Sequence, residues 1–297
     1  MAVGRPGPPP LPPGRGSGVM NALVTTSWLA EHLGASDLRI VDGTWHMPAL
    51  ARNAREEFAE AHIPGAVFFD IDRIADTSVP LPHMLPSPQV FAASVAALGI
   101  GNDDRIVVYD VRGAISAARV WWTFRAFGHE RVAVLDGGLR AWRAEGRPLE
   151  RGETRPAPRP FRAHFRPELV RDLAAVRANV TAKREQVVDA RSRGRFTGTE
   201  PEPRAGLRGG HVPGSLNVPY ETLYRDDGTF LPPPALRNAF AQAGVELDKP
   251  IVTACGSGVT ACVLALGLYV LGREDVAVYD GSWTEWGGRP DTPVDGP

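Results

Sequence analysis

The chain has 297 residues, of which 43% are hydrophobic and 23% charged, an ordinary make-up for a soluble globular protein of about two domains. Its 33 Lys and Arg against 34 Asp and Glu leave a formal net charge of -1, which excludes the basic footprint of a nucleic-acid binder and any pull towards an anionic membrane surface. No apolar run approaches the roughly 18 residues of a membrane span, two cysteines exclude a disulfide framework and point to a reducing, cytoplasmic setting, and no Cys/His cluster has zinc spacing.

Residues 1–19 hold six Pro and five Gly. Such a segment buries too little apolar surface to offset its ordering entropy. It has neither the apolar centre of a secretory signal nor the arginine pattern of a transit peptide. It reads as a disordered tail over 1–20, or as sequence upstream of a start at Met20. Over 21–144, helical patterns at 27–33, 88–98, 115–127 and 139–144 alternate with apolar runs at 38–42, 66–69, 106–110 and 132–135. This alternation predicts an α/β fold, a mostly parallel sheet flanked by helices. Residues 145–167 carry Gly146, Pro148, Gly152, Pro156, Pro158, Pro160, Pro167 and six arginines without apolar periodicity, which predicts a stiff linker.

Residues 168–297 repeat the first half. Ile40-Val41-Asp42 matches Val187-Val188-Asp189, and His62-Ile-Pro-Gly65 matches His211-Val-Pro-Gly214. Ile106–Asp110 matches Ile251–Cys255, Leu135–Gly138 matches Tyr279–Ser282, and Trp142 matches Trp286. All fall at an offset of 144 to 149 residues, too long for a solenoid, so the domain is duplicated. His62 and His211 recur in both halves, whereas a candidate nucleophile occurs in one. They read as turn-fixing residues, and Trp121, Trp122, Trp142, Trp283 and Trp286 as core or interface aromatics.

The strongest chemical signal is Cys255. An apolar run, Pro250–Ala254, leads into Cys255-Gly256-Ser257-Gly258-Val259-Thr260 and then into an apolar helical run, Ala261–Leu271. Strand, glycine loop and helix together aim backbone N–H groups at one anion. Beside a helix N-terminus a thiol pKa falls from about 8.5 to roughly 3.5–7.5, which makes a nucleophilic thiolate. A cysteine phosphatase would need an arginine six positions on to hold phosphoryl oxygens, and that position is Ala261. Cys262 lies about 10 Å further along a helix axis, beyond the 7 Å or so a disulfide spans. It reads as a core residue.

The loop 255–260, with His211–Gly214 before it and Tyr279-Asp-Gly-Ser-Trp-Thr-Glu-Trp286 after it, resembles the two-domain rhodanese superfamily over residues 22–290. The resemblance implies two tandem rhodanese-like domains, the second catalytic and the first without its nucleophile, where Asp110 stands in place of Cys255. Thiosulfate-using relatives carry two basic residues after the cysteine. Gly256 and Ser257 stand there in this chain, which resembles the 3-mercaptopyruvate-using branch. The same resemblance places substrate-binding arginines at Arg195 and Arg204, whose forks fit a carboxylate. It places a polar relay at Asp72, His83 and Ser257, able to move one proton. Arg191 and Arg193 read as surface residues at least in part. One departure stands out: relatives of the mammalian type carry an aromatic near the position of Ile115.

The activity so implied is covalent sulfur transfer. Cys255 attacks the sulfur of the donor, pyruvate leaves as its enolate, and a persulfide remains, cradled by the Gly256–Thr260 loop. A thiol acceptor such as thioredoxin, or cyanide, then removes the outer sulfur. No metal or organic cofactor is implied. A thiosulfate-preferring enzyme and a persulfide carrier without turnover stay open as alternatives.

Overall fold

The computed structural model describes residues 20–296, so the Pro- and Gly-rich segment expected to be disordered lies outside the described residues apart from Met20. In the first half, strands β1 (Leu23–Val24), β2 (Leu38–Asp42), β3 (Ala66–Phe68), β4 (Arg105–Tyr109) and β5 (Val132–Leu135) form a sheet in the order β1-β5-β4-β2-β3. Helices α1 (Thr26–His32), α2 (Ala54–Glu60), α3 (Pro88–Ala97), α4 (Ser116–Ala126) and α5 (Gly138–Ala144) connect them. In the second half β6 (Val170–Arg171), β7 (Gln186–Asp189), β8 (Leu216–Asn217), β9 (Ile251–Ala254) and β10 (Ala277–Tyr279) take the order β6-β10-β9-β7-β8. This is the same permutation five strands later, and every pairing in both sheets is parallel. Helices α6 (Leu173–Ala182), α7 (Arg193–Thr197), α8 (Pro233–Gln242), α9 (Ala261–Val270) and α10 (Ser282–Trp286) complete the copy.

The predicted strands and helices of the first half are present within a residue or two of their expected ends. Two elements escaped the pattern. Helix α2 buries only Phe58 and owes its start to Asn53, whose side chain accepts from the N–H groups of Arg55 (3.1 Å) and Glu56 (3.3 Å). Strand β1 is two residues long, too short for an alternation to register. Residues 145–166 are tied to the first half. Glu150 pairs its backbone with His62, Arg159 meets Asp104 at 2.5 Å, and Phe161 packs on Phe91 and Phe124.

The two copies meet through their matching helices. All eleven residues of α4 are buried, as are nine of the ten in α9, and the two helices pack on each other across the molecule. Trp121 of α4 meets Tyr269 of α9 edge-on at 5.3 Å, and the Arg125 guanidinium lies over both rings. One apolar cluster therefore runs unbroken from Val41 and Phe91 in the first half to Val188 and Leu266 in the second. A helix apolar on all sides needs such double cover.

Candidate active site

Cys255 directly follows β9 and is 2% exposed. Its backbone is fixed from α10: Cys255 N–H donates to Ser282 Oγ (3.1 Å), and Trp283 N–H donates to the Cys255 carbonyl (2.9 Å). Among the described residues the N–H groups of Gly256 to Thr260 donate to no protein acceptor. The first half shows what such a loop holds. There Asp110 sits at the matching position, and its carboxylate accepts from the N–H groups of Arg112 (2.7 Å), Gly113 (2.8 Å) and Ala117 (2.9 Å). The duplicated loop holds the protein's own carboxylate in one copy and follows a thiol in the other, where its N–H groups are without a protein acceptor among the described residues.

Cys255 lies on a cleft of about 270 Å³ between the halves. Gly256, Ser257, Val259 and Thr260 line it with Cys255, while Trp45, Met47, Val111 and Ile115 of the first half form its apolar side. Arg195 and Arg204 form the cationic side, so the structure brings both expected arginines to the thiol. They differ in their partners. Arg195 is engaged by Glu202, with Nη2–Oε2 at 2.6 Å and Nε–Oε1 at 3.2 Å. Arg204 has no carboxylate partner among the described residues, and its Nη2 donates to Ser257 Oγ (3.3 Å). Burial holds the Arg204 guanidinium below its ordinary value, against the pull of Cys255. A Cβ at Gly256 would lie 2.9 Å from Arg195 Nη2, so the absence of a side chain there lets the guanidinium close over the loop.

Asp72 and His83 also come together, with His83 Nδ1 2.9 Å from Asp72 Oδ1. Trp45 Nε1–H donates to the other oxygen of Asp72 (2.9 Å), and its ring meets the His83 ring edge-on at 4.7 Å. Burial holds the His83 imidazole below its ordinary value although Asp72 opposes it. Burial would raise the Asp72 carboxyl, but the His83 imidazole beside it and the hydrogen bond from Trp45 outweigh it and the net shift is downward. Among the described residues no hydrogen bond joins His83 to Ser257, and His83 Nε2 has no partner. The three residues expected to form a relay thus stand as a pair, Asp72–His83, and a separate contact, Ser257–Arg204.

Several residues fall where the sequence alone did not put them. Arg191 is 1% exposed and not a surface residue. It is bidentate to Asp189, reaches Glu202 at 2.8 Å and stacks over Trp283 at 4.3 Å. Glu202, with its side chain 2% exposed, joins Arg191 to Arg195 and sets the latter's direction. Arg119 of α4 reaches the carbonyl of Gly258 from behind the active loop (3.2 Å). The available signal for it was an arginine, one of two with Arg125, inside a helix rich in Ala, Val, Trp and Phe. Cys262 is fully buried, its Sγ donates to the Gly258 carbonyl (3.2 Å), and burial pushes its thiol far above the ordinary range. His62 stacks on Phe58 (4.1 Å) and His211 on Phe196 (3.8 Å), each bonded to that phenylalanine's carbonyl. This is one structural device used twice. The described residues contain no group of three or more His, Cys, Asp or Glu suited to a metal, and no helix among them is long and apolar enough to cross a membrane.

Two segments, residues 25–145 and 172–289, match the model of the rhodanese-like domain. The chain belongs to the rhodanese family. It is 48% identical to the 3-mercaptopyruvate sulfurtransferase of Homo sapiens, over 89% of this chain and 91% of that protein. It is 46% identical to the thiosulfate sulfurtransferase of Rattus norvegicus, over 92% of this chain and 95% of that one. The crystal structure of a 3-mercaptopyruvate sulfotransferase from Escherichia coli superposes with a TM-score of 0.82 at 41% identity, covering 89% of this chain and 99% of the other. Relatives named for either donor are thus similar to nearly the same degree.

Proposed function

We propose that this chain is a 3-mercaptopyruvate sulfurtransferase, and the observation that carries the reading is the loop after Cys255. It offers backbone N–H groups, Gly256 and Ser257, and no cation of its own; the cations stand on the cleft wall, Arg195 and Arg204 next to Gly256, with Arg112 and Arg191 also among the lining residues. That arrangement suits a donor whose carboxylate lies several bonds from its sulfur. The carboxylate meets Arg204 and the outer edge of Arg195, and the donor sulfur is left over Cys255.

The steps balance without a cofactor. The Cys255 thiolate forms an S–S bond to the donor sulfur. The C–S bond breaks, and its electron pair passes to carbon as the enolate of pyruvate. A proton from Ser257 completes pyruvate. The arginines stabilise the developing charge. In the second step an acceptor thiolate attacks the outer sulfur, carries it away and returns Cys255 as thiolate. Donor binding that draws a protonated His83 to Ser257 Oγ would return the proton from its Nε2–H, with Asp72 holding the imidazolium. We assign the acceptor to small or protein thiols such as thioredoxin. We place the activity in a reducing, cytoplasmic compartment, because the nucleophile must stay a free thiol; an Arabidopsis thaliana relative is named as mitochondrial.

The test compares donors. With 3-mercaptopyruvate, intact mass should rise by one sulfur atom while pyruvate appears in steady state once cyanide or a thiol is added. Thiosulfate should load the same cysteine less efficiently. A higher kcat/KM with thiosulfate would move the chain to the other branch. A single turnover that never repeats would mark a carrier.

A further inference from the structure

Helix α4 carries Arg119 at 2% exposure, in a place where a guanidinium is unfavourable unless its donors are met. They are met by three segments at once. Nη1 lies 2.7 Å from Asp280 Oδ1 and donates to the Gly258 carbonyl (3.2 Å), and Nη2 donates to the His83 carbonyl. The second oxygen of Asp280 accepts from Leu85 N–H (2.7 Å). One ion pair thus ties the His83 segment of the first half to the active loop of the second.

Both carbonyls that Arg119 binds belong to residues in the left-handed region. His83 has φ +64°, unusual for a residue with a side chain, and Gly258 has φ +76°. A Cβ on Gly258 would lie 2.8 Å from Arg119 Nη1, so glycine is needed there on both counts. In a trans peptide the N–H opposes the carbonyl. With the Gly258 carbonyl held towards Arg119 and Cys262, the Val259 N–H points the other way, on the side where Val259 lines the cleft.

We infer that Arg119 is a positioning residue for sulfur transfer: it fixes the Gly258–Val259 peptide of the cradle and the His83 backbone against one carboxylate, Asp280, so that the thiol and the Asp72–His83 pair keep a single spacing. The inference rests on the sulfurtransferase reading. It gives the half without a nucleophile a defined part in the chemistry, since the cradle of the second half is held by a side chain of the first.

Two variants test it, with steady-state transfer from 3-mercaptopyruvate to cyanide and thermal unfolding as readouts. Arg119→Lys keeps a charge opposite Asp280, but a single ammonium cannot also reach both carbonyls. Its kcat should fall by about 100-fold, the effect of a displacement of around 1 Å, with KM little changed. Arg119→Met combined with Asp280→Asn removes both buried charges together. It should unfold close to the wild-type temperature and still show the loss in kcat. Wild-type kcat in Arg119→Lys overturns the inference, and so does activity in the double variant that returns in step with its thermal stability. Either variant decides if the other does not fold. If the wild type takes no sulfur from 3-mercaptopyruvate, the functional reading fails instead, and the same variants are then compared with thiosulfate as donor.

Discussion

Cys255 and Cys262 are seven residues apart and chemically opposite. Cys255 lines a cleft whose wall carries Arg195 and Arg204, and among the described residues the N–H groups of the loop after it donate to no protein acceptor. Cys262 lies in the apolar layer between α4 and α9, and burial keeps its thiol protonated. Only a thiolate reacts at a useful rate with an alkylating agent. Native protein treated with iodoacetamide at neutral pH should therefore gain one label, on Cys255, and lose transfer in proportion. A second label should appear only after denaturation. Rapid native labelling of Cys262, read by peptide mass mapping, would contradict its placement. The same contrast explains Asp110. In that copy of the loop the N–H groups of Arg112, Gly113 and Ala117 are already taken by the Asp110 carboxylate and are not free for a ligand.

At the scale of elements, the pairing of α4 with α9 decides what a separated half can do. Helix α9 reads Ala-Cys-Val-Leu-Ala-Leu-Gly-Leu-Tyr-Val, and it packs on α4 of the other half. Each buried Leu or Val contributes about 1.5–3 kcal/mol by leaving water. A fragment of residues 160–297 would expose several of them together with the unpaired Asp280 carboxylate that Arg119 otherwise neutralises. Expressed alone, that fragment should be insoluble or should bind a hydrophobic dye. Co-expression with residues 20–159 should recover soluble complex and activity. A soluble, dye-silent fragment on gel filtration would show that the interface contributes less than its burial suggests.

For the molecule as a whole, duplication has not produced two independent units. One apolar cluster spans both halves, and Phe230 N–H reaches Asp136 (2.8 Å) and Tyr224 the Ala114 carbonyl (3.1 Å) across the same seam. Halves that share a core unfold together. Urea transitions followed by tryptophan fluorescence and by far-ultraviolet circular dichroism should coincide, because Trp121, Trp122 and Trp142 report on one half and Trp283 and Trp286 on the other. Two separated midpoints would show that each sheet is stable alone. The site also belongs to the whole, since Trp45, Met47, Val111, Ile115 and Arg112 line it from the first half and the thiol, Arg195 and Arg204 from the second.

By itself the sequence determined the duplication, the alternation of strands and helices, and the thiol at the head of a glycine loop. These signals are local. A buried parallel strand needs a short apolar run, and an N–H cradle needs small residues between a strand and a helix, so both are written in consecutive residues. The repeat supplied the one long-range fact the chain carries openly, including the replacement of the nucleophile by Asp110. Partnerships between distant charges were decided only by the tertiary structure. Arg119 and Gly258 are 139 residues apart, and nothing near either marks the other. Arg191 reads as a solvated residue until the fold closes Asp189, Glu202 and Trp283 around it. Asp72, His83 and Ser257 could be named from resemblance, but only the tertiary structure set His83 against Asp72 within the first half and Ser257 against Arg204 within the second. Hydrogen bonds and ion pairs depend on distances of a few ångströms, which the chain fixes only once its apolar surfaces have been buried.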